Sequence, residues 1–199
     1  MLHRLARAVP PLTAVVVAAL MAVASVAFAG DRHSGRHSSS SWHGFFEKRC
    51  EGRSLSAWDR QWLNMQLQTD LFEIAGGSAA EDKASTDVVR ALAADLVRDH
   101  TASFEKGAAL AERLGVPVPS EPAPLQQWAL RVVNAFSGTA FDRWFADLQV
   151  QGHKQAIMLA EAEVALGCNP KVRALAEASL PVLQEHLQMA EEALASLQP

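Results

Sequence analysis

The chain has 199 residues, 49% of them hydrophobic, and a formal net charge of -4. That suffices for one domain with a sizeable core, and with no basic field it argues against nucleic acid as a partner. Tyrosine is absent, glycine is sparse, and alanine and leucine dominate, a composition that favours helix over sheet.

The first residues read as a targeting segment. Met1 to Arg7 is short and basic, an apolar run follows from Pro11 to Val26, and Ala27-Phe28-Ala29 has the small-x-small form of a cleavage site. This is the pattern of a secretory signal peptide over residues 1–29, with Gly30 as the first mature residue. The apolar run is shorter than the ~20 residues that span a bilayer comfortably, so the mature form is not expected to cross a membrane. Removing residues 1–29 takes away Arg4 and Arg7 and no acid, which makes the remainder more negative by two charges. A periplasmic protein is the expectation, with outer-membrane association as the alternative. Its two cysteines, Cys50 and Cys168, have a spacing that fits no zinc or redox motif. An oxidising compartment permits a disulfide between them, two free thiols being the alternative.

Residues 30–54 read as a flexible Ser/His-rich leader, with His33, His37 and His43 able to hold metal only weakly. The bundle domain is expected over 55–197. Ser56 with Asp59 three residues on forms a capping box for the first long helix. That helix carries Trp58, Trp62, Met65 and Phe72 at helical spacing, with Glu73 beside that face. Gly76-Gly77 either ends it or admits a close helix, in which case it runs on to about Lys83. Ser85 is the expected cap of the second helix, whose apolar band from Val88 to Ala111 contains His100. Gly115 ends it. The segment VPVPSEPAP (116–124) is stiff and extended, and Leu125 to Phe136 forms a short helix. Thr139 is the expected cap of the third long helix, with Asp142 in its first turn and His153 beside its core stripe. Gly152 costs that helix propensity, which a close contact or a partner side chain would explain. Asn169-Pro170 opens the last helix, whose stripe from Val172 to Leu194 contains His186 and is interrupted by Pro181.

Four long helices with short connections in the first and second halves, and one long connection between them, predict an all-α fold. It is a ferritin-like up-down four-helix bundle with one long crossover containing a short extra helix. His100, His153 and His186 each lie in a different long helix, and Glu73 lies in the fourth. Three imidazoles and a carboxylate form a plausible set for zinc, copper or iron. The Glu-x-x-His pair of di-iron bundles is absent: three residues before the histidines stand Val97, Val150 and Leu183. No G-x-S-x-G elbow, Walker motif or dinucleotide glycine motif is present.

In this context the segments D59-R-Q-W62, L71-F-E73-I-A and A91-L-A-A-D-L-V-R-D99-H100 resemble the opening of the exported bacterial family with domain of unknown function 4142. F141-D-R-W-F-A-D-L-Q-V-Q-G-H153 and L175-A-E-A-S-L-P-V-L-Q-E-H186-L resemble its third and fourth helices. The resemblance implies a ferritin-like fold and an exported or outer-membrane setting, and it makes Glu73, His100, His153 and His186 recurrent polar positions. It implies no biochemical activity. The first functional reading is a non-catalytic helical protein of the envelope, acting in stress or partner binding, with structural histidines. The second is a transition-metal binding or sensing protein using Glu73, His100, His153 and His186. The third is a ligand-dependent enzyme, for which no complete catalytic constellation is visible.

Overall fold

The computed structural model describes residues 50, 51 and 54–197. The signal segment 1–29 and the leader up to residue 49 lie outside the described residues. Five helices follow: α1 (Ala57–Lys83), α2 (Asp87–Leu114), α3 (Pro124–Asn134), α4 (Gly138–Leu166) and α5 (Pro170–Ser196). None among the described residues is long and apolar enough to cross a membrane.

Local chemistry sets the ends of these helices. The Ser56–Asp59 capping box starts α1. Gly115, in the left-handed region at φ 64°, ends α2. The Asn169 side chain accepts from the N–H groups of Lys171 and Val172 to start α5, with Pro170 in its first turn. Two starts differ from expectation. The residue capping α2 is Thr86, not Ser85, and the residue capping α4 is Ser137, not Thr139. Asp142 ties the two starts together. Its carboxylate is fully buried and turned away from its own helix. It accepts from the backbone N–H and the hydroxyl of both Ser85 and Thr86, at 2.8 to 3.0 Å. These four bonds pin the start of α2 to the start of α4.

The topology follows from such ties. α1 packs along α2 and α4 along α5, and the pairs join through α2–α5 and α1–α4. The start of α1 meets the turn into α5, where Asp59 Oδ1 accepts from the N–H groups of Cys168 and Asn169. Cys50 and Cys168 form a disulfide at that same end, their Cα atoms 5.3 Å apart. Since α4 begins where α2 begins, the connection between them must travel the length of the bundle. Residues 116–137 do so, and α3 lies against α1 and α4 on the way. This is an up-down four-helix bundle with one long crossover carrying a short helix, the ferritin-like connectivity.

α1 continues unbroken through Gly76-Gly77 to Lys83. A Cβ on Gly77 would stand 2.8 Å from Val97 Cγ2 and 2.9 Å from the Ala93 carbonyl oxygen, so the glycine lets α2 approach. A Cβ on Gly152 would meet only Glu73 Oε1, at an ordinary 3.9 Å. Alanine in a helix gains about 0.5–1 kcal/mol over glycine, while overpacking costs about 1–3 kcal/mol. Gly77→Ala is therefore expected to lower stability in urea unfolding, and Gly152→Ala to leave it unchanged or raise it.

The core divides in two. One apolar cluster holds Phe72, Leu92, Leu96, Phe141, Phe145 and Ala190. The other holds Trp62, Leu67, Leu110, Ala160, Val172 and Leu183. On every long helix a buried polar residue falls between the two: Asp70 on α1, His100 on α2, His153 on α4 and His186 on α5.

Candidate metal centre

The three histidines meet in that polar layer. Their ring centroids are 5.3 to 5.9 Å apart. One ring nitrogen of each lies within 4.8 Å of the others. The rings are 3%, 1% and 1% exposed for His100, His153 and His186. The apolar stripes bring the helices together, and the helical repeat places the histidines at one level.

Each ring is held from outside by an acceptor. His100 Nδ1 donates to Asp70 Oδ1 at 2.8 Å. His153 Nδ1 donates to its own helix's Gln149 carbonyl at 2.9 Å. His186 Nε2 donates to Asp99 Oδ2 at 3.1 Å. A carbonyl or carboxylate oxygen can only accept, so the outer nitrogen of each neutral ring carries the hydrogen. The inner nitrogen of a neutral ring is then a lone pair; His100, whose pKa is raised, offers its own on giving up the second proton, as metal binding requires. Those inner atoms, His100 Nε2, His153 Nε2 and His186 Nδ1, are buried without any hydrogen-bond partner. Outer carboxylate or carbonyl, middle imidazole and inner lone pair is the arrangement that orients histidine towards a metal.

The outer contacts are themselves secured. Asp70 also accepts from Gln66 Nε2 and the Ser103 hydroxyl. Burial raises its proton affinity against those bonds and the His100 charge. Burial alone would lower the His100 pKa, but the bond to Asp70 and the charges of Glu73, Asp70 and Asp99 outweigh it and raise it. His153 has only a carbonyl beside it. Burial and the neighbouring His100 and His186 push it down to about 3. Burial lowers His186 against the pull of Asp99.

Glu73 lies beside the three rings but outside their tight group. It is buried, its Oε2 has no partner, and Gln149 hydrogen-bonds to the carboxyl. Burial lifts it to about 7 against the charge of His100 and the Gln149 bond. Gln149 Oε1 is likewise buried and unpartnered. Asp70 and Gln149 belong to the site and were not among the residues expected from sequence.

Glu163 lies near Asp59, at the end of the bundle where α1 begins, and its pKa is also raised. It is fully buried. Burial, then the nearby Asp59 carboxylate, raise it to about 8, with Arg173 opposing. Asp59 is held below its usual value although burial opposes this, through bonds from Ser56 and Asn169. The folded protein therefore keeps a proton on Glu163 that the unfolded chain has released above the ordinary glutamate range. Stability from this group falls as pH rises from about 4.5 towards 8. Between pH 5 and pH 8, Glu163→Gln is expected to lose less stability than the parent chain. Urea unfolding at the two pH values checks it.

Residues 47–193 match the family described as Domain of unknown function (DUF4142). Among solved structures, the fold is similar to the crystal structure of a DUF305 fragment from Deinococcus radiodurans, with a TM-score of 0.63 at 16% sequence identity. The match covers 71% of this chain and 98% of that one. At that identity the likeness shows the fold alone. A search of curated proteins returns no significant match. With its family match running through all four long helices, the chain belongs to the DUF4142 family.

Proposed function

We propose that this protein binds a transition-metal ion through His100, His153 and His186. One observation carries the reading: three buried imidazoles turn unpartnered nitrogens into one space while their outer nitrogens are bound. An unsatisfied buried polar atom costs about 1–3 kcal/mol, and three together call for a shared partner. A cation supplies it. Metal–nitrogen bonds near 2.0–2.1 Å require the rings to draw inward on loading. Imidazole donors suit zinc and copper, and iron as well. Glu73, buried with an unpartnered Oε2, offers an oxygen donor for a fourth position.

The purely structural reading explains His100 and its bond to Asp70. It leaves His153 without a task, since that ring bonds only to its own helix. With the expected signal segment, the function becomes binding or sensing of metal in the cell envelope. The test is metal content by mass spectrometry on untagged protein purified without chelator, followed by competition titration. One equivalent of zinc, copper or iron is expected. Protein that stays empty and shows no affinity for any of the three would overturn the reading.

A further inference from the structure

A closed centre needs a way in. The three rings are nearly inaccessible, so a cation reaches them only through a neighbouring group that touches both solvent and a histidine. Asp70, behind His100, is fully buried. The group behind His153 is the main-chain carbonyl of buried Gln149. Asp99, behind His186, is different: its side chain is 28% exposed.

Asp99 is also restrained. Both its oxygens accept from one guanidinium, Arg98 Nε to Oδ1 at 2.9 Å and Arg98 Nη2 to Oδ2 at 2.8 Å. Arg98 is 64% exposed and also bonds to Asp95. The oxygen that faces His186 is thus one of the two that a surface cation already occupies. An incoming metal ion and the guanidinium compete for the same carboxylate, and the histidine stands directly behind it.

We propose that Asp99 is the entry point for the metal. The ion displaces Arg98, rests on the Asp99 carboxylate, and passes to His186. It is received at the inward Nδ1, while Nε2 keeps its hydrogen and its bond to Asp99. Arg98 is the latch: it holds the carboxylate closed against weakly bound cations and pairs with it again after loading. The inference rests on the three-histidine centre and adds its route of filling.

The experiment follows cobalt(II) or zinc binding by stopped flow on the full mature chain, after an equilibrium titration of each protein. Asp99→Asn keeps an acceptor for His186 but removes the charge. It is expected to slow association roughly 10-fold, a change in the on-rate separate from any loss of affinity through the weakened hold on His186. Arg98→Gln is expected to speed association several-fold. Arg90→Gln, which removes the same charge from a surface ion pair nearer the start of α2, controls for general attraction. Equal acceleration by Arg90→Gln, or association unchanged by Asp99→Asn, would overturn the entry route while leaving the centre intact. Failure of the parent chain to bind metal at equilibrium would remove the centre and the route together.

Discussion

Replacing His153 with leucine is expected to abolish metal binding while leaving the metal-free protein as stable as before or more so. The two effects come from one atom. His153 Nε2 is buried with no partner, and burial beside His100 and His186 keeps the ring neutral down to about pH 3. The sole hydrogen bond of the ring goes to the Gln149 carbonyl one turn back, so it joins no two helices. Leucine removes an unsatisfied nitrogen and keeps most of the volume, which should recover about 1 kcal/mol in the absence of metal. With metal the sign reverses. Disturbing even an outer partner of a metal-bound histidine costs 10- to 100-fold in affinity, so losing the ligand itself should cost at least about 100-fold. Urea unfolding without metal and competition titration with it measure the two halves. A histidine kept for structure gives the opposite first half, a loss of stability with no metal present.

His100→Ala is expected to be costly even without metal. Its ring is the partner of Asp70, a carboxylate with no exposure at all. Alanine leaves that group with only Gln66 and Ser103. Breaking a buried pair from one side costs about 3–5 kcal/mol, because the remaining charge stays buried and must take up a proton to escape. Asp70→Asn in the same chain should recover part of that cost, on the order of 2 kcal/mol, and the double-mutant cycle reads the coupling directly. Simple additivity of the two substitutions would show that the pair is not an interacting unit. The contrast with His153 matters more than either value. Two histidines in one layer, equally buried, should respond in opposite directions because one holds a neighbour in place and the other holds only a lone pair.

Much of this layer is legible in the sequence, and the omissions have a physical cause. His100, His153 and His186 stand out because each interrupts or borders a regular apolar stripe. The long proline-rich connection marks the crossover, and Ser56, Gly115 and Asn169-Pro170 mark helix ends through side chains that act locally. Asp70 is hidden because α1 does not separate polar from apolar. Its buried face includes Asp59, Gln66, Asp70 and Glu73 among the leucines and aromatics, so an acid there reads as a solvated residue. Gln149 is hidden for a similar reason on α4. Asp142 misleads in another way. Near the start of a helix, an acid suggests a contact with its own first turn, yet it serves a helix more than fifty residues earlier. Such long-range ties leave no periodic trace.

The measurement that bears most directly on the metal centre is anomalous diffraction from crystals of the mature protein loaded with zinc or copper. A single peak within about 2.1 Å of one nitrogen each from His100, His153 and His186 is the predicted result. A saturated crystal with no density among those rings, or with metal only on partly exposed carboxylates such as Asp95 and Asp99, would contradict it.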